Sequence, residues 1–117
     1  MTANLDMECA KLGSKLGRES DDKTLTDALS VLEEQGVYAF FLFLKQKNDR
    51  RSVIDRCKEF LGEHLPGGFG ASDDVCRATQ DIATDIDKLL LARDLLRQSL
   101  IYGRYHAKAK GNAGGQG

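Results

Sequence analysis

The chain has 117 residues, 41% of them hydrophobic and 30% charged, with no Trp, a single proline at Pro66 and a formal net charge of −1. That length excludes division into several domains, because a core this small must stay whole to offset the entropy of ordering its backbone. Scarce proline with abundant Leu, Ala, Asp and Lys favours helix over sheet and predicts an all-α fold: a compact bundle of about four to five helices over residues 1–110, closed by a long C-terminal helix, with a flexible Gly-rich tail at 111–117.

The first helix is marked by Leu5, Cys9, Leu12 and Leu16 at helical spacing, although Gly13 and Gly17 weaken it. Met1 to Met7 lacks the basic start and apolar run of a signal peptide, so the expected location is cytoplasmic. Ser20-Asp21-Asp22 is a turn and cap, and a second helix is expected from about Thr24 to Lys47 with a core stripe of Leu25, Leu29, Leu32, Phe40, Phe43 and Leu44. Gly36 interrupts it, as a kink or as the site of a close helix approach. Val37 to Leu44 is continuously apolar, too short for a membrane span but enough to make the helix central or partnered.

Lys45, Lys47, Arg50 and Arg51 then bracket an Asn48-Asp49 turn and form one basic cluster. A third helix from Ser52 to His64 ends at Pro66-Gly67-Gly68, and the loop through Ala71 reads as a hinge or spacer, since it lacks the phosphate-binding GxxxxGK[ST] pattern. Ser72 is the expected N-cap of the last helical segment, a long helix or two joined near Asp87. The apolar track there is Val75, Ile82, Ile86, Leu89, Leu96, Leu100 and Ala107, with Leu91 and Leu95 on another side.

Charge is uneven along the chain. Residues 1–87 carry 11 Lys/Arg against 17 Asp/Glu, a balance of −6, and residues 88–117 carry six against one, a balance of +5. Arg93, Arg97, Arg104 and Lys108 lie at spacings of four, seven and four, a cationic ladder roughly 22 Å long on one side of the last helix. Such a ladder can follow the phosphates of an extended strand, and Tyr102 or Tyr105 beside it can stack on a base. A neighbouring copy's acidic flank is the competing partner for the same cations.

Chemistry is less well represented. Cys9, Cys57 and Cys76 are widely spaced, without a CxxC pair, and read as small buried hydrophobes rather than zinc ligands. Asp74, Asp81, Asp85 and Asp87 suit helix starts better than a metal site, and neither His64 nor His106 has the Arg-x4-6-His spacing of helical ribonucleases. The chain is expected to be no enzyme and to need no cofactor.

Ala28-Leu29, Val31-Leu32 and the run Gln35-Gly36-Val37-Tyr38-Ala39-Phe40-Phe41-Leu42-Phe43-Leu44-Lys45 resemble the small helical subunit of type III CRISPR effector complexes, the Cmr/Csm small-subunit family. Arg77-Ala78-Thr79, followed by a long helix ending in aromatic and basic residues, is similar to that family's C-terminal half, so the likeness covers about residues 24–110. It departs where the family commonly has a tyrosine just before the Ala-Thr pair and this chain has Asp74, Val75 and Cys76 nearby. The resemblance implies a non-catalytic subunit that stacks with its own copies in a guide-RNA complex and touches the target strand or guide–target duplex through basic helix faces. On that expectation Arg93, Arg97, Arg104, Lys108 and Tyr105 contact RNA, with Lys45, Lys47, Arg50 and Arg51 as a second patch. Tyr38, Phe41, Leu91 and Leu95, with the neighbouring Phe40 and Phe43, face other subunits or copies. The alternative is a helical oligomerisation or adaptor domain without a nucleic-acid role.

Overall fold

A computed structural model describes the backbone of residues 3–69 and 74–116, and the side chains of 4–69 and 74–110. Among these residues the chain forms six α-helices: α1 (Ala3–Glu19), α2 (Asp22–Gln35), α3 (Val37–Lys45), α4 (Arg51–His64), α5 (Val75–Ile82) and α6 (Ile86–Gln116). A single 3₁₀ turn, Asn48–Arg50, joins α3 to α4. The all-helical architecture and long last helix match expectation, and there is one helix more than the four to five expected. The expected flexible tail falls on the last residues of α6 and on Gly117, whose side chains lie outside the described residues.

Two breaks account for the count. The expected second helix divides at Gly36, where φ is 97° and ψ −174°, an extended left-handed conformation that a side chain would strain. Its amide still donates to the Leu32 carbonyl at 3.0 Å, so α2 ends cleanly as α3 begins in a new direction. The second break lies at Ala83–Asp85, where the Asp85 carboxylate accepts from the Lys88 amide at 3.1 Å and caps α6. Asp21 caps α2 the same way, accepting from the Thr24 amide at 2.8 Å, and Asp74 opens α5 by accepting from the Cys76 amide at 3.0 Å. Ser72, the cap expected for α5, lies outside the described residues.

The most extensive helix pair is the first with the last. Cys9, Gly13 and Gly17 repeat every four residues on α1, facing Leu95, Ser99, Gly103 and Ala107, which repeat every four on α6. A Cβ on Gly13 would stand 2.5 Å from that of Tyr102 and 2.8 Å from the Ser99 carbonyl, and one on Gly17 would stand 2.6 Å from the Cβ of His106. The glycines that weaken α1 in isolation therefore let two backbones run side by side in the same direction. The Cys9 thiol donates to the Leu95 carbonyl at 3.7 Å, and the Tyr102 hydroxyl donates to the Asp6 carboxylate at 3.0 and 3.1 Å, fixing the register.

The core is shared by all six helices. α3, apolar all round, packs on α2, α4, α5 and α6 on one side and leaves Tyr38 and Leu42 exposed on the other. Phe40, Phe41 and Leu44 are fully buried there, and Phe69 of the glycine-containing loop packs its ring 5.9 Å from that of Phe41. That loop is thus anchored by Phe69 rather than being a simple spacer. All three cysteines are buried free thiols. No helix among the described residues is long and apolar enough to cross a membrane.

Candidate nucleic-acid interface

Three of the four ladder cations are turned against α2, which runs antiparallel to α6. Arg93 donates through Nη2 to the Glu33 carbonyl at 3.2 Å, and Arg97 donates through Nε to the Glu33 carboxylate at 3.0 Å. Arg104 lies 3.9 Å from the Asp22 carboxylate, and its Nε is buried without a hydrogen-bond partner. Acids at the two ends of α2 thus brace the ladder, so a phosphate would have to displace them. Lys108 and Tyr105 remain outward, Tyr105 with 67% of its surface exposed. Tyr102 is a brace rather than a stacking platform, since its hydroxyl is committed to Asp6.

The second cluster is more open. Where α3 ends and α4 begins, Lys45, Lys47, Asn48, Arg51 and Lys58 border a groove of about 410 Å³ whose remaining walls include Ile54, Asp55, Asp74 and Val75. Among the described lining residues four cations face two carboxylates. Lys45 reaches Asp74 at 3.3 Å, and hydrogen bonding from the Cys76 amide and then from Lys45 holds the Asp74 carboxyl below its ordinary value. Lys47 and Arg51 are exposed.

Arg50 belongs elsewhere. Its guanidinium lies 4.4 Å from the centre of the Phe43 ring and donates at 3.1 Å to the Phe43 carbonyl, which also accepts from the Gln46 amide at 3.3 Å at the end of α3. Lys58, which sequence reasoning missed, stands seven residues after Arg51 on α4 and so shares its face; that spacing was the available signal.

Of the four residues expected to meet other subunits, two are corrected. Phe41 and Leu95 are fully buried, because Phe41 lies on the side of α3 that faces the other helices and Leu95 lies under α1. Phe40 is likewise in the core, and Phe43 is half-buried beneath Arg50. Leu91 is half-buried. Tyr38 is exposed, its hydroxyl accepting from Gln80 at 3.5 Å. His64 packs 4.5 Å from the Phe60 ring and lines neither the cationic groove nor the ladder, and His106 is exposed. Among the described residues no cluster of three or more His, Cys, Asp or Glu is placed to hold a metal ion.

No protein-family model, curated protein or solved structure matches this chain. Among the described residues, fold and surface together define an all-α protein of six helices with an open groove bordered by four cations at one corner and a cationic ladder braced from within.

Proposed function

We propose that this chain is a non-catalytic, RNA-binding structural subunit of a cytoplasmic ribonucleoprotein, the role that its resemblance to the small subunits of type III CRISPR effector complexes implies. The observation that carries the reading is the convergence of Lys45, Lys47, Arg51 and Lys58 on one open groove. Phosphate contact is sequence-independent and needs cations gathered at an accessible surface. The groove is therefore the principal contact, and the outward end of α6, with Tyr105 and Lys108, is secondary. One groove offers few phosphates a place, so binding by a single copy is weak, and copies stacked along a strand multiply it.

The test is fluorescence anisotropy of a labelled single-stranded RNA at low and moderate salt. Wild-type protein is expected to bind with salt-sensitive affinity, and Lys47→Glu/Arg51→Glu to bind more weakly, its salt slope smaller by about 0.7 for each phosphate no longer neutralised. Arg97→Glu, which alters the ladder, should change binding less. Wild type that does not bind at low salt, or a double variant that binds equally well, overturns the assignment.

A further inference from the structure

The α5–α6 corner carries a surface that RNA contact does not use. Val37, Tyr38, Ala83 and Leu89 line a groove of about 490 Å³ between the start of α3, the end of α5 and the first turns of α6. Next to Leu89 on α6, Ile86 and Leu90 stand one helical turn apart and are 68% and 49% exposed. Ile86 was expected in the core track; it is outside because α6 begins there, beyond the last helix that could cover it. Exposed apolar side chains grouped around a groove mark an interaction surface rather than scattered surface hydrophobes.

Acids outnumber cations in the sequence around it, with Glu34, Asp81, Asp85 and Asp87 against Arg77, Lys88 and Arg93. Glu34 precedes the lining residue Gln35 on α2, Asp81 follows the lining residue Gln80 on α5, and Asp85 and Asp87 stand on either side of Ile86 in sequence; all four are exposed. The nearby cations are placed differently: the Lys88 ammonium sits beside Gly67, Arg93 is bound to the Glu33 carbonyl, and Arg77 lies one turn back on α5. A symmetric pairing of this face with itself would oppose two acidic rims, which disfavours a second copy related by a two-fold axis.

We propose that this corner docks a basic amphipathic helix of another protein, its apolar stripe laid over Ile86, Leu89, Leu90 and Tyr38 and its lysines or arginines meeting the four carboxylates. Helix-in-groove recognition lays the apolar face of an amphipathic helix into an apolar groove, and the exposed acids nearby select against acidic helices. The surface shares no residue with the cationic groove, so the inference stands apart from the RNA reading.

The full-length chain is titrated against a fluorescein-labelled peptide of Leu and Lys, roughly 18 residues or five turns, with one apolar stripe. Companion titrations use a scrambled peptide of equal charge and a Leu/Glu version. Saturable binding is expected for the striped Leu/Lys peptide alone, about tenfold weaker or worse in Ile86→Ser/Leu90→Ser. Both positions are exposed, and circular dichroism checks that this variant stays folded. Lys47→Glu/Arg51→Glu should leave peptide binding intact while lowering RNA binding, which separates the two readings. Equal binding of the scrambled peptide, or an unaffected Ile86→Ser/Leu90→Ser variant, overturns the proposal. So does sedimentation showing that wild type self-associates and this variant does not, because the occupant is then a second copy.

Discussion

At Gly36 the backbone adopts φ 97° and ψ −174° with open space around the missing side chain. Gly36→Ala therefore meets no clash and still costs about 1–3 kcal/mol from backbone strain alone, measurable by urea unfolding. Gly13→Ala fails for the opposite reason: the conformation is ordinary helix, but Tyr102 and the Ser99 carbonyl occupy the space, and overpacking of about 1–3 kcal/mol outweighs the gain in helix propensity. Gly62, helical and with nothing within 4 Å of an added Cβ, is the control: Gly62→Ala should stabilise by about 0.5–1 kcal/mol. If all three alanines had the same sign of effect, this account of the glycines would fail. Titration adds two checks. Hydrogen bonds from Thr24, hydroxyl first and amide second, hold the Asp21 carboxyl below its ordinary value. That stability is present above the ordinary aspartate range and is lost as pH falls through the lowered value. Asp21→Asn, which caps without titrating, should show a shallower acid loss of stability across a pH series of unfolding curves. Burial pushes the Cys57 thiol from 9.0 up to about 12. Above the ordinary thiol value the unfolded chain ionises and the folded one does not, so stability should decline with rising pH there, less so in Cys57→Ala when slopes are compared. A thiol reagent should reach Cys57 only as fast as the protein unfolds.

At the scale of elements, spacing placed the ladder on one side of α6 but could not say what that side faces. Its neighbour α2 carries Asp22 and Glu33 eleven residues apart, about 16 Å, close to the three turns from Arg93 to Arg104 on an antiparallel partner. Arg97→Glu sets a carboxylate against Glu33 and should cost less than about 1 kcal/mol, because the pair is half exposed; thermal unfolding beside Glu33→Gln measures it. Six helices were legible as four or five because hydrophobic periodicity runs through Gly36 without a change of phase, and only the dihedral at that residue ends α2. Phe41 and Leu95 were misplaced for a related reason. A run apolar in every direction signals surplus surface, and whether it is covered within the chain or by partners depends on how many helices surround it. Around α3, four helices of the same chain cover the side of Val37, Phe40, Phe41 and Leu44 and leave Tyr38 and Leu42 exposed. Cys9, Gly13 and Gly17 gave no warning of their role, since a row of small residues becomes a contact face only beside a matching row on α6.

At the scale of the whole molecule, α6 sets the shape: 31 residues at about 1.5 Å each nearly fill the 48 Å long axis. The radius of gyration, 13.8 Å, is close to the roughly 13.4 Å expected for a chain of this length, so the long helix does not detach from the bundle. The cationic groove and the apolar corner share no lining residue, so the two proposed contacts do not compete for the same surface.

The pairing of α1 with α6 also sets an order of events. The glycine face of α1 is covered by a helix made nearly ninety residues later, a longer loop closure than the sixty-odd residues that separate Glu33 of α2 from Arg97 of α6. At roughly 5–20 residues per second, α1 waits several seconds with Leu12 and Leu16 unburied. Docking of α1 therefore waits for α6, and until α6 has emerged α1 stays exposed to chaperones and proteases.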